Sequence, residues 1–159
     1  MGIKRELAGH TLAPTTFEIE RGKIREFAAA TGDTNPIYSN RAAAQAAGYE
    51  DIPAPPTFGT VVGFWALGHE KQTEELGFPI AGVLHGEEEY TYLAPVYPGD
   101  VLKGQQKIVS IVDKKGSTGP MQIITLETVY TNQDGQEVLK TSTIVVIPES
   151  MNENEGGNA

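Results

Sequence analysis

The chain has 159 residues, with 21 acidic against 12 basic side chains, a formal charge of −9 and no cysteine. That length suffices for one domain with a core that needs no staples. The missing thiols exclude a disulfide framework, and the surplus of carboxylates argues against nucleic acid as a partner, since neutralising phosphates takes a basic surface.

The three histidines, His10, His69 and His85, are far apart and lack metal-ligand spacing, so neither a metal nor another cofactor is expected. The opening "MGIKRELAGH" carries no apolar run of signal-peptide length, and no stretch approaches a membrane-spanning length. The expectation is a soluble cytoplasmic protein with no membrane partner. One domain is expected over residues 1–149, followed by a disordered, polar and acidic tail over 150–159, "SMNENEGGNA".

In chain order, "RGKIREFAAATG" places Ile24, Phe27 and Ala28 on one face of a helix, with Gly32 as its left-handed stop. "SNRAAAQAAG" predicts a short helix capped by Ser39 or Asn40 and ended by Gly48. Pro53, Pro55 and Pro56 force an extended approach. Then "TFGTVVGFWALG", with Thr57 as N-cap, is apolar around nearly its whole circumference, so it must be buried on most sides. Gly59, Gly63 and Gly68 cost helix propensity and predict close backbone approach. Downstream, "GEEEYTYLAPV", "DVLKGQQKIVSIVD", "MQIITLETVYT" and "EVLKTSTIVVI" read as strands. "NQDGQ" is a tight hairpin and "KKGSTGP" a longer loop. The first half is thus helical and the second half strands. An antiparallel sheet wrapped around one buried central helix is the hot-dog architecture, of α+β class; an α+β sandwich with the helix on one face is the alternative.

"TGDTNPIY", residues 31–38, carries the first candidate for chemistry. Gly32 permits positive φ, Pro36 fixes a turn and Asn35 can bond its own backbone. Asp33 on this turn reads either as a turn residue or as a positioned carboxylate. "FAAATGDTNPIY" resembles the signature of the MaoC-like, type 2 enoyl-thioester hydratases and dehydratases, which are hot-dog proteins. "APPTFGTVV" and "VLHGEEEYTYLAPVYPGDVL" resemble more narrowly the N-terminal-type branch of that family: the first subunit of hydroxyacyl-carrier-protein dehydratases and the first half of double-hot-dog hydratases. The resemblance spans about residues 5 to 148.

It implies hydration of an enoyl thioester or dehydration of a hydroxyacyl thioester. That chemistry needs a proton moved at the α-carbon, water handled at the β-carbon and donors for an enolate-like oxygen. The family's catalytic Asp and His stand five residues apart; Asp33 matches the Asp, Asn35 and Pro36 match the turn, and Tyr38 stands where the His would be. A phenol, with an ordinary pKa of about 10 against about 6.5 for imidazole, is a poor base at neutral pH. The resemblance therefore implies a subunit that shapes the acyl pocket while a catalytic MaoC-like partner supplies the dyad. A self-sufficient homodimer using Asp33 with His85 or an ordered water is the alternative, and a non-catalytic acyl-thioester-binding module a third.

His85 is either a structural residue or a contact to the thioester, with Gly86 marking a tight backbone approach. The N–H groups opening the central helix at Thr57, Phe58 and Gly59 are candidates to polarise a thioester carbonyl, and Asn35 joins them as a substrate contact. Glu87, Glu88 and Glu89 alternate faces on a strand and so cannot converge on a metal. Phe64 and Trp65 read as core or acyl-tunnel lining. An acyl-CoA or acyl-carrier-protein substrate is anionic, and Arg41, Lys103, Lys107, Lys114 and Lys115 are the cations available to meet it. A lone hot-dog leaves a sheet edge unpaired, which predicts a homodimer or a heterodimer with a catalytic MaoC-like subunit.

Overall fold

The structure, a computed structural model, describes residues 3–67, 83–117 and 119–148. The expectations for Gly68, His69 and the tail fall outside these residues. Strand β1 (Thr15–Glu18) leads into helix α1 (Arg21–Ala30), then α2 (Arg41–Ala46) and α3 (Gly59–Leu67), and the chain continues as β2 (Leu84–Tyr92), β3 (Val101–Gly116), β4 (Gly119–Thr131) and β5 (Glu137–Pro148). All pairings are antiparallel, and the strand order is β1-β3-β4-β5-β2. This is the hot-dog arrangement, with α3 held against one face of the sheet.

Both short helices end as their sequences dictate. Gly32 (φ 73°) and Gly48 (φ 93°) adopt the left-handed region. The N–H of the residue after each glycine reaches back five positions, Asp33 to the Ala28 carbonyl (2.9 Å) and Tyr49 to the Ala44 carbonyl (3.0 Å). Asn40 caps α2 by accepting from the Ala43 N–H at 3.2 Å.

Burial follows the predicted stripe: Ile24 and Ala28 are buried, and Phe27 meets Phe58 edge-on at 5.5 Å. Fully burying side chains of this size stabilises by roughly 1.5–3 kcal/mol each, which outweighs the propensity cost of about 1 kcal/mol for each glycine in α3. Those glycines serve contact: a Cβ on Gly59 would lie 2.6 Å from the Tyr90 ring, and one on Gly63 3.7 Å from the Tyr130 hydroxyl.

Two apolar clusters form on this sheet. One joins Ile24, Phe58, Val62, Leu102, Tyr130 and Leu139; the other joins Ile3, Leu12, Ile108, Ile124, Leu126 and Ile147. Between them runs a buried polar row of directly opposed residues, Gln106–Thr128–Thr141, which ends at Tyr90 on β2. Gln106 donates to the Thr128 hydroxyl at 3.2 Å, as burial of polar groups requires.

Four expectations need correction. A strand, β1, exists in the half expected to be helical; its four residues are too few for alternation to stand out. "KKGSTGP" is no long loop, because β3 and β4 stay paired to Gly116↔Gly119, placing Lys114 and Lys115 within the ladder. Thr57 does not act as N-cap through its side chain: α3 begins at Gly59, and the Thr57 carbonyl accepts from the Thr60 N–H at 3.1 Å. Finally, α3 is covered on one side only. Phe58 and Val62 are buried, yet Phe64 and Trp65 are 53% and 62% exposed, since one sheet can cover only the face it touches.

Candidate functional site

The α1 stop sets Asp33 at the head of a rigid turn. Its carboxylate accepts from the Asn35 N–H at 2.9 Å, and the Asn35 side chain accepts from the Ile37 N–H at 3.2 Å, opening a single 3-10 turn over Pro36–Tyr38. Asp33 and Asn35 are exposed, whereas Tyr38 is half-buried. Burial, with the Asp33 charge and Tyr49 beside it, pushes the Tyr38 phenol above its ordinary value. Tyr38 is thus a proton-bearing hydroxyl at neutral pH, able to donate or accept a hydrogen bond but unable to serve as a base.

Tyr92 faces this turn from β2 and feels Tyr38 electrostatically. Its hydroxyl donates to the Pro55 carbonyl at 3.1 Å. The Phe58 N–H goes to the Pro55 carbonyl at 2.9 Å and the Thr60 N–H to the Thr57 carbonyl. The start of α3 therefore lies beside the Asp33 turn, with the N–H groups of Phe58 and Thr60 engaged within the chain. Tyr90, two residues from Tyr92 on the same strand face, hydrogen-bonds the Thr60 hydroxyl. Burial raises the phenols of Tyr90, Tyr92 and Tyr130 as well. Sequence reading passed over Tyr90 and Tyr92; the alternation in "EYTY" was the available signal, because period two puts both on the face that meets α3.

His85 lies within β2, not before it, and its Nε2 is 2.9 Å from the Glu88 carboxylate. The strand has a bulge between His85 and Glu87, where Gly86 runs so close to β5 that a Cβ would lie 3.0 Å from the Ile144 carbonyl oxygen. Among the described residues no hydrogen bond joins His85 to Asp33. Glu88 is half-buried on the α3 side while Glu87 and Glu89 are exposed, so the trio splits as alternation requires, and no cluster fit for a metal ion exists among the described residues.

The cations do not gather either. Arg41 lies 3.6 Å from Asp51, which Arg21 holds by two bonds of 2.5 Å. Lys107 and Lys114, seven residues apart on β3, are separated by roughly 23 Å at the usual strand rise. A depression of about 250 Å³ lies against Glu89, Glu127, Lys140 and Ser142. Their strand neighbours Tyr90 and Leu139 face α3, so this hollow is on the opposite face of the sheet from the Asp33 turn and is no acyl pocket.

A hot-dog sheet carrying an Asp-bearing turn against the start of its helix is the plan of the acyl-thioester dehydratases and hydratases. A family profile described as FAS1-like, dehydratase domain region, matches residues 6–141, and the chain belongs to that family. It is 41% identical to the UPF0336 protein of Streptomyces avermitilis over 118 residues, 74% of this chain and 79% of that protein. Its fold is similar to the C-terminally truncated HadBC (3R-hydroxyacyl-ACP dehydratase) complex of Mycobacterium tuberculosis, with a TM-score of 0.74 at 26% identity over 88% of this chain and 96% of that one. A MaoC-like dehydratase matches with a TM-score of 0.75 at 26% identity, over 91% of this chain and 43% of the other. The resemblance to MaoC-like hot-dog dehydratases is thereby established. Among the described residues no helix is long and apolar enough to cross a membrane.

Proposed function

We propose that this chain is the pocket-shaping subunit of a (3R)-hydroxyacyl-thioester dehydratase or enoyl-thioester hydratase, of the N-terminal type, whose catalytic dyad is completed by a second MaoC-like hot-dog. One observation carries the reading: on the turn that presents Asp33, the position five residues on holds Tyr38, a phenol kept protonated by its surroundings. Asp33 can hold a water or a hydroxyl, but among the described residues no base beside it takes the second proton. Asn35, Thr57, Phe58, Gly59 and Gly86 would line the acyl side of the site, with an acyl-CoA or acyl-carrier-protein thioester as substrate. The 43% coverage of the longer MaoC-like dehydratase supports a unit that works joined to another.

Hydration of trans-2-enoyl-CoA by the purified chain, followed by loss of the enoyl-thioester absorbance, tests this. The expected result is no turnover alone and turnover once a catalytic MaoC-like subunit is co-purified. Turnover by the chain alone, lost in Asp33→Asn, would overturn it.

One observation favours a second reading. The His85–Glu88 pair is an imidazole oriented by a carboxylate at 2.9 Å, the arrangement that prepares a base. In a self-sufficient homodimer, His85 of one copy would serve beside Asp33 of the other, and His85→Ala would abolish activity of the chain alone.

A further inference from the structure

The two edges of the sheet are unequal. At one, β1 is four residues long, and the N-terminal segment extends its cover of β3 through Gly9 N–H to Ile108 carbonyl (2.7 Å) and Leu12 N–H to Gln106 carbonyl (2.9 Å). At the other, β2 runs nine residues and, among the described elements, pairs only with β5. A strand of that length offers an outer row of N–H and C=O groups to another strand.

The middle of this edge is acidic. Glu88 is the midpoint of Leu84–Tyr92, flanked by Glu87 and Glu89. In a two-fold pairing of β2 with its own copy over the full strand, Glu88 would oppose Glu88, and Glu87 would oppose Glu89 twice. Six carboxylates would face one another in directly opposed pairs with Cβ atoms roughly 5 Å apart, an arrangement that destabilises a sheet. The same sheet gives little relief. Glu89 is registered with Ser142, which is registered in turn with Glu127, a further carboxylate. The nearest lysine along this face, Lys140, is paired with Glu137 at 2.8 Å. His85 pairs with Glu88 on the other face.

Resting on the reading of this chain as a partnered subunit, we infer that the β2 edge rejects a second copy of the chain and takes the edge strand of a different hot-dog chain, one bearing Lys or Arg opposite Glu87, Glu88 and Glu89. Charge at the seam thus sets partner choice, by repulsion against self as much as attraction to the partner.

A charge swap within this chain supplies the probe. Glu87 and Glu89 are exposed, so E87K/E89K leaves the buried face of β2 intact. By sedimentation velocity at low ionic strength, wild type alone and E87K/E89K alone are each expected to stay monomeric at micromolar concentration. Their equimolar mixture is expected to form a 1:1 dimer at least tenfold tighter than either homodimer, and to dissociate in high salt. The neutral variant E87Q/E89Q should self-associate more tightly than wild type with an unchanged circular dichroism spectrum. A mixture that gains no dimer, a wild type that dimerises as tightly as the mixture, or an E87Q/E89Q no tighter than wild type each overturns the inference. These readouts need no substrate, so enoyl-CoA turnover by the lone chain would sink the subunit reading separately.

Discussion

The Tyr92 hydroxyl donates to the Pro55 carbonyl at 3.1 Å, joining β2 to the extended segment that leads into α3. The Gly59 backbone is near enough to favour the ionised form of the same phenol, so Tyr92 sits where that segment turns into the helix. Tyr92→Phe should remove the hydroxyl's bond while the Pro55 carbonyl keeps the Phe58 N–H at 2.9 Å. The expected loss is about 0.5–1.5 kcal/mol, or a few degrees in thermal denaturation at about 2–4 °C per kcal/mol for a chain of this size. An unchanged melting temperature would show that water replaces the hydroxyl without penalty.

Gly59 approaches Tyr90 more closely than any side chain allows. Gly59→Ala would put a methyl 2.6 Å from the ring and 3.2 Å from Leu139. The better helix propensity of alanine, worth about 1 kcal/mol, is outweighed by overpacking of about 1–3 kcal/mol. A net fall in the urea midpoint is expected. A rise would mean that the Tyr90 ring swings aside freely.

Tyr38→His restores the residue pair that the family's chemistry uses. General acid–base catalysis typically contributes a factor of about 10²–10⁴. The variant chain should hydrate enoyl-CoA at least about a hundredfold faster than wild type alone, and adding Asp33→Asn should remove the gain. If Tyr38→His stays at background while a partnered wild type turns over, the second proton is handled outside this turn.

Acid stability should depend on Asp51. The Arg21 guanidinium holds its carboxyl at about 2, with the Ile52 N–H and Arg41 adding to the effect. Because the folded pKa lies below the unfolded value of about 3.9, this contribution is complete above about pH 4 and is lost as pH falls through about 2. Urea midpoints between pH 2 and 7 should fall less steeply on the acid side for Asp51→Asn than for wild type.

The alkaline side follows with the opposite sign. Tyr38, Tyr90, Tyr92 and Tyr130 have phenols raised chiefly by burial. Above pH 10 or so the unfolded chain has released protons that the native chain still holds, so stability falls as pH rises. Absorbance titration should show Tyr92 and Tyr130 ionising only together with unfolding, and Tyr38 and Tyr90 ionising later than a free phenol. Reversible ionisation of Tyr92 or Tyr130 at pH 10 in the folded state would contradict the effect of their burial.

The helix ends, the turn at Asp33 and the long strands were readable because each rests on local chemistry: Gly32 and Gly48 at positive φ, Asn40 as a cap, and Asn132 bonding the Asp134 and Gln136 N–H groups inside the "NQDGQ" hairpin. What escaped depends on contacts far apart in sequence. β1 is fixed by pairing with Leu102 and Gly104, not by its own four residues. Tyr92 becomes part of the site only because Pro55 and Gly59 lie across from it. The exposure of Phe64 and Trp65 was hidden for a related reason, since hydrophobicity all round a helix says that it needs cover and not which chain provides it.

The docking of the N-terminal segment has a consequence for how the molecule is made. The Ile3 carbonyl accepts from the Gln122 side chain, 119 residues away, and Arg5 pairs with Asp113. Ile3 and Leu12 are synthesised before β3, β4 and β5, yet their places on those strands exist only after β5 has emerged from the ribosome. Contacts of such separation slow folding, because loop closure precedes their reward. Ile3 and Leu12 must therefore wait, undocked, until β5 has been made, and their docking would be the step that completes the second cluster.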